Sequence, residues 1–173
     1  MKPHIKNPSP VLRLFLLAGL AGGLAEVLWV SLYSLAAPAS AAEIARQITA
    51  TIAPAASLAP LAPAFGVIIH FVLSLLLATA FGLAIWAPFA SRLGTVGALA
   101  SAVSALAAVW AVNFFLVLPA LNPAFVSLMP LSVTLVSKAL FGTAMGLVLG
   151  GAQRQKPAAH RWAGIGGSSA PMR

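Results

Sequence analysis

The sequence predicts an all-α integral membrane protein built as a bundle of four transmembrane helices. Its 173 residues are 61% hydrophobic and only 7% charged, whereas charged residues make up roughly 25% of an ordinary soluble domain. A chain of this length leaves a large fraction of its surface exposed when it folds, and it has too few charges to cover that surface in water. Lipid is therefore the solvent that suits the composition.

Four apolar stretches are long enough to cross a hydrocarbon core, which needs about 20 helical residues. Proline, glycine or charged residues bracket each of them, and Pro88 is expected to end the second. The predicted spans are residues 11–36, 64–87, 96–118 and 131–152. They form one domain, residues 1–153, and the basic tail 154–173 is predicted to be disordered because its end is rich in glycine and serine.

The distribution of lysine and arginine predicts the orientation of the spans, because cytoplasmic flanks carry the excess of basic residues. Seven basic residues flank the ends of the spans on one side of the membrane: Lys2, Lys6, Arg13, Arg92, Arg154, Lys156 and Arg161. On the other side, the first loop holds only one basic residue, Arg46, and the third loop holds none. Both termini are therefore predicted to be cytoplasmic.

The first loop contains a predicted amphipathic helix over residues 41–53. Ser40 and Glu43 have the spacing of a capping box, and Ile44, Ile48 and Ile52 follow at four-residue intervals. This pattern is typical of a helix that lies on the outer membrane surface. A helix packed on the mouth of the bundle would show the same stripe, so both interpretations remain open.

A cleavable signal peptide is an alternative interpretation of the N-terminal segment, because Ala39-Ser40-Ala41 precedes Ala42 in the manner of a cleavage site. Cleavage there would leave three spans. The apolar run is, however, about 26 residues long instead of the 7–15 of a signal peptide, and it contains Glu26. Four spans are therefore expected, and the mass of the mature protein tests this.

Each predicted span contains one strongly polar side chain in its outer half: Glu26, His70, Asn113 and Lys138. An ionisable group at the membrane centre costs at least about 2.5–3.5 kcal/mol, so such residues face the protein interior. Small residues lie on the same helix faces as these polar residues, and they let neighbouring helices approach closely. These predicted packing residues are Gly19, Gly23, Ser74, Gly82, Gly142, Gly146 and Gly150.

The sequence thus predicts one intramembrane polar cluster, in which an ion pair between Glu26 and Lys138 is the leading contact. One interpretation is structural, with satisfied polar contacts that fasten four helices together. The other is a proton-accessible or substrate-binding site, because a carboxylate, an imidazole and an amine at one depth can change their protonation.

The sequence lacks the residues that several kinds of catalytic, cofactor and metal sites need. No serine, base and acid can be placed together as catalytic residues, and Glu26 and Glu43 are the only carboxylates among the side chains. A haem held by two histidines would need a second intramembrane histidine, whereas His4 and His160 lie in the flanks. Neither a phosphate-binding loop nor metal-ligand spacing is present. No catalytic residue, metal or cofactor is therefore predicted, and the dispersed basic residues do not indicate nucleic acid.

The aromatic residues predict contacts of two kinds. Trp29, Tyr33 and Trp86 lie near the ends of spans, where amphipathic rings favour the headgroup level. Trp110 lies deeper in its span and is expected to pack against a neighbouring helix or a partner protein.

Short motifs in the spans resemble those of a known group. They are Gly19-Leu-Ala-Gly22, His70-Phe-Val-Leu-Ser74, Asn113 through Pro119, and a polar residue early in span four, here Lys138. This order is similar to that of the small uncharacterised inner-membrane proteins grouped with YagU, in which histidine takes the place of the lysine. The resemblance implies a bacterial inner-membrane location and no particular activity.

The expected function is that of a non-enzymatic accessory, assembly or stress-related membrane component. Its expected partners are the lipid bilayer and either further copies of the chain or a larger membrane complex. The alternative function is a small oligomeric proton-coupled transporter or channel that uses the polar cluster.

Overall fold

A computed structural model describes residues 10–154, and within this range the chain is helical and contains no strand. Four helices are long and apolar enough to cross a membrane, which confirms that part of the prediction. They are α1 (Pro10–Ser34), α3 (Ala62–Ala90), α4 (Arg92–Leu121) and α6 (Leu131–Gln153). Two short α-helices, α2 (Ala41–Ile52) and α5 (Pro123–Leu128), and a 3₁₀ helix, Pro54–Leu58, lie in the connections. The predicted disordered tail lies outside the described residues beyond position 154.

The spanning helices pack in the order α3, α1, α6, α4. The helix α1 contacts both α3 and α6, and α6 contacts α4 along its length. Large side chains fill the core between these helices, with Phe15, Leu106, Phe141, Met145 and Leu149 at most 1% exposed. The helices α3 and α4 therefore lie on either side of the central α1–α6 pair.

Small residues lie where the helices approach most closely. A methyl group on Gly142 would lie 2.7 Å from the Cα of Val103, and one on Gly146 would lie 2.8 Å from the Cα of Leu99. All seven predicted packing residues lie at contacts between helices. Gly19, Gly23 and Ser74 join α1 to α3, Gly82 faces Phe15, and Gly142, Gly146 and Gly150 face α4.

Pro88 of α3 and Pro119 of α4 lie inside helices, each just after a π turn. Residues Gly82–Trp86 form the turn before Pro88, and Asn113–Val117 form the turn before Pro119. A proline ring clashes with the carbonyl four residues earlier and removes one N–H donor, and that carbonyl falls within the widened π turn in both cases. The prediction that Pro88 ends the second span is therefore wrong, because α3 continues to Ala90.

The connection between α3 and α4 is very short and depends on one glycine. Gly94 has φ 58° and ψ −171°, a break in the helical backbone at the start of α4. This conformation is essentially restricted to glycine. The second and third spans can therefore reverse direction with almost no loop.

Trp86 is buried in the core, so its ring does not face the lipid headgroups as expected of a residue near the end of a span. Its side chain is 6% exposed, and its ring packs edge-on against Phe15 with the centroids 5.9 Å apart. The continuation of α3 past Pro88 places Trp86 a full turn inside the helix end. Trp110 packs against α6, because its indole N–H donates to Thr134 Oγ1 at 2.9 Å.

Candidate functional site

A half-enclosed cavity of about 340 Å³ lies at one end of the bundle. All four spanning helices line it, and α2 covers it. Its wall is mainly apolar, and its polar side chains include Glu26, His70, Asn113, Ser137 and Lys138. Small-molecule sites in proteins have volumes of about 300–1,000 Å³ and the same mixture of apolar walls and a few polar groups.

The helix α2 is formed and oriented by its own sequence. Ser40 caps the first turn, where its Oγ accepts a hydrogen bond from the backbone N–H of Glu43 at 3.1 Å. The side chains of Ile44, Ile48 and Ile52 all line the cavity. The isoleucine stripe therefore faces the interior of the bundle, as in the interpretation of a helix packed on its mouth.

Three contacts hold α2 in this position. Thr49 Oγ1 donates to the backbone carbonyl of Ala62 at 2.6 Å, and both groups lie in the buried α2–α3 contact. The carbonyl of Ala45 lies directly against Gly66 of α3, where no larger residue fits without movement. Asn122 donates from Nδ2 to Thr51 Oγ1 at 3.0 Å and to the Gln47 carbonyl at 3.1 Å.

Glu26 forms the centre of the polar cluster, where its carboxylate accepts hydrogen bonds from two neighbouring residues of α6. Lys138 Nζ lies 2.7 Å from Glu26 Oε1 and 2.9 Å from Oε2. Ser137 Oγ donates to Oε1 at 2.9 Å. The Glu26 side chain is 5% exposed and that of Lys138 is 21% exposed. The carboxylate is thus buried with its charge paired, while the lysine reaches the cavity.

His70 joins this cluster from α3. Its Nε2 lies 3.2 Å from the carbonyl of Gly23 and 3.9 Å from Glu26 Oε2. A carbonyl oxygen can only accept, so the hydrogen bond assigns the proton to Nε2. Ser74 Oγ donates to the carbonyl of His70 at 2.8 Å, which keeps this hydroxyl within its own helix.

Asn113 lines the cavity but lies apart from the hydrogen-bonded cluster. It occupies the first position of the π turn in α4, and among residues 10–154 its side chain makes no hydrogen bond to Glu26, His70 or Lys138. The reason is the packing order, since α4 packs mainly against α6, whereas α1 packs against α3 and α6. The four predicted residues thus share one cavity; Glu26 and Lys138 form an ion pair, and His70 lies 3.9 Å from the same carboxylate.

Three residues of the site were missed by the sequence prediction. Ser137 is adjacent to Lys138, and no pattern distinguishes it from the other serines of the spans. Asn122 was interpreted only as a turn residue, although it also caps α5 by accepting from the N–H of Phe125 at 3.2 Å. Gly66 lies one turn before His70, and this glycine was the only available signal that a backbone approaches α3 there.

The cavity combines a mainly apolar wall with hydrogen-bonding groups of Lys138 and Asn113, which is the composition of known small-molecule sites. The charge of Glu26 is neutralised within the protein by Lys138. No known protein family, curated protein or solved structure matches the chain. The cavity and its polar wall are thus the features that bear on function.

Proposed function

We propose that this protein is a non-enzymatic accessory component of the bacterial inner membrane that binds a small lipophilic molecule between its spans. The observation that carries the proposal is the cavity of about 340 Å³ under α2. Polar side chains that only hold helices together are normally surrounded by closely packed atoms, because protein interiors contain few voids larger than a water molecule. Here the cluster adjoins a space large enough for a ligand.

The proposed orientation has both termini in the cytoplasm. Arg13 and Arg92 lie at the end of the bundle opposite the cavity, where the positive-inside rule favours the cytoplasm. The cavity and α2 then face the periplasmic side. Trypsin added to intact spheroplasts is expected to cut after Arg46 and to leave a C-terminal epitope tag attached to the membrane. If trypsin removes the tag before the spheroplasts are lysed, the C-terminus lies outside the cytoplasm and the proposed orientation is wrong.

Binding is tested with the purified protein in mild detergent and the fluorescent lipophile 1-aminoanthracene. The variant Ile48→Trp adds bulk to α2 on the side that lines the cavity, whereas Ala42→Trp adds it on the exposed side of the same helix. We expect Ile48→Trp to weaken dye binding by about tenfold or more, and Ala42→Trp to leave it unchanged. The proposal fails if the wild type does not bind the dye or if both variants bind it equally.

A second candidate function, a small oligomeric proton-coupled transporter or channel, is favoured by the contact of Glu26, Lys138 and His70 at the cavity. It is tested with the protein in liposomes that contain a pH-sensitive dye. If the protein transports protons, the wild type gives a proton flux and the double variant Glu26→Leu with Lys138→Met gives none. An accessory binding protein gives no flux above that of empty liposomes. The oligomeric state of the protein purified in detergent shows whether copies of the chain associate. Membership of the YagU-like group stays a prediction.

A further inference from the structure

We infer that the cavity recognises a neutral, planar lipophile that presents a carbonyl oxygen to Lys138 and Asn113. The inference rests on the proposed binding function and specifies the chemistry of the ligand. A ring that carries carbonyl groups and an apolar chain, as in a quinone, is the class that fits.

The free hydrogen-bonding capacity of the cavity wall determines the polar end of this ligand. Glu26 already accepts from Lys138 through both oxygens and from Ser137 through one of them. Lys138 carries three N–H donors and no acceptor, so at least one donor remains after it binds both Glu26 oxygens. Its side chain is also more exposed than that of Glu26, at 21% against 5%. The cavity therefore offers a donor, and its complement is an acceptor.

Asn113 adds further donors from α4, the helix that packs against α6. Its side chain lines the cavity from α4, and none of the hydrogen bonds among residues 10–154 uses its amide. The amide supplies two donors through its NH₂ group and an acceptor through its Oδ1. A carbonyl oxygen within the cavity can accept from this amide or from the lysine, so one class of ligand satisfies both.

The charges around the cavity favour a neutral ligand. An anionic headgroup would compete with Glu26 for Lys138 and would place a second negative charge next to the buried carboxylate. A cationic headgroup would meet the like charge of Lys138. A neutral carbonyl avoids both conflicts, because it can share the ammonium group without displacing Glu26.

The apolar wall favours a flat ring next to the polar end. Phe114 and Phe125 both line the cavity, with ring centroids 6.3 Å apart and an interplanar angle of 35°. Phe114 is 4% exposed and stacks on Trp110, so its ring is held firmly. Aromatic rings favour offset or edge contacts with other rings, and a planar ligand makes such contacts.

The inference is tested by displacement of 1-aminoanthracene from the purified protein with four probes that differ in their polar end. Decylubiquinone is neutral and carries carbonyl groups, decylbenzene has no acceptor, dodecanoate is anionic and dodecylamine is cationic. We expect decylubiquinone to displace the dye at a concentration about tenfold or more below that of decylbenzene. Dodecanoate and dodecylamine are expected to be no better than decylbenzene.

Two variants test which groups recognise the carbonyl. Asn113→Leu removes the amide, and Lys138→Met is combined with Glu26→Leu so that no unpaired charge is left. Each is expected to reduce the preference for decylubiquinone over decylbenzene and to leave decylbenzene itself unaffected. Thr143→Ala is the matched control in α6, because Thr143 bonds only to the Ala139 carbonyl of its own helix and does not line the cavity. Size-exclusion chromatography and far-ultraviolet circular dichroism verify that each variant is folded.

The possible outcomes separate the inference from the function on which it rests. If no probe displaces the dye and the dye itself does not bind, the proposed function fails and the inference fails with it. If all four probes displace the dye equally, or if a charged probe is preferred, the cavity binds lipophiles but the inference is overturned. A preference for decylubiquinone that survives in both variants also overturns the assignment to Lys138 and Asn113.

Discussion

The indole N–H of Trp29 in α1 donates a 3.0 Å hydrogen bond to the backbone carbonyl of Val133 in α6. Trp29 and Val133 lie about one turn from Glu26 and Lys138 along the same two helices, so this bond joins the pair of helices that the ion pair also joins. The contact between α1 and α6 thus has a second polar connection, which does not depend on charge. Loss of both charges should therefore leave the two helices together.

The ion pair can be tested with a double-mutant cycle. Glu26→Leu or Lys138→Met alone leaves one intramembrane charge without its partner, and we expect each to lower the free energy of unfolding by about 3 kcal/mol. The double variant is expected to recover most of this loss. Unfolding by SDS in mixed micelles, followed by circular dichroism, gives these values. A double variant no more stable than either single variant would show that the two residues are not energetically paired.

The approach between α4 and α6 can be tested with one methyl group. Gly142→Ala would place a methyl carbon 2.7 Å from the Cα of Val103, which cannot move without its helix. We expect a loss of about 1–3 kcal/mol in the free energy of unfolding, because the added methyl forces the helices apart. Gly151→Ala is the matched control, since nothing lies within 4 Å of a methyl there. Equal stability of the two variants would contradict close packing at Gly142.

The attachment of α2 depends on Asn122. Asn122→Ala removes its hydrogen bonds to the part-buried Gln47 and Thr51, which costs about 0.5–1.5 kcal/mol for each bond lost. We expect trypsin to cut the purified protein after Arg46 about tenfold faster, because the rate follows the population in which α2 is released. Ser127→Ala is the control, since it removes only an exposed bond within α5 to the Pro123 carbonyl. Equal cleavage rates in the two variants would show that other contacts hold α2.

The reversal between α3 and α4 depends on the backbone of Gly94. Gly94→Ala must adopt φ 58° and ψ −171°, where a residue other than glycine is strained by about 1–3 kcal/mol. No neighbour lies within 4 Å of the added methyl, so this variant isolates the backbone effect. The unfolding midpoint in SDS is expected to fall, in contrast to that of Gly151→Ala. An unchanged midpoint would mean that the turn readily adopts another conformation.

The fold class and the central ion pair follow from the sequence because each depends on a strong physical rule. Long apolar stretches in a chain with few charges favour lipid, and the structure has four helices long and apolar enough to cross a membrane. A carboxylate inside such a helix needs a compensating group, and Lys138 is the only lysine or arginine within the predicted outer halves of the spans. The helix α2 was predictable because Ser40 and Glu43 specify its first turn.

The remaining features depend on how helices pack, which a single sequence does not determine. Proline normally ends a helix, so the second span was predicted to end at Pro88. The last turn of α3 and the burial of Trp86 were therefore not predicted. Asn113 and Glu26 were both predicted in the outer half of their spans, but α4 packs mainly against α6 and α1 against α3 and α6, which separates them. The role of Asn122 also depends on tertiary structure, because α2 and α5 are about 70 residues apart in the chain and meet only in the folded bundle.

The π turns at Gly82–Trp86 and Asn113–Val117 make each helix one residue longer than a regular α-helix over the same rise. Each is structurally equivalent to a single-residue insertion in a membrane-spanning segment. Residues on opposite sides of a π turn are therefore offset by about 100° from the positions that a 3.6-residue repeat assigns to them. A homologue that lacks Pro88 or Pro119 can present the same lipid-facing and cavity-facing surfaces with one residue fewer in that helix.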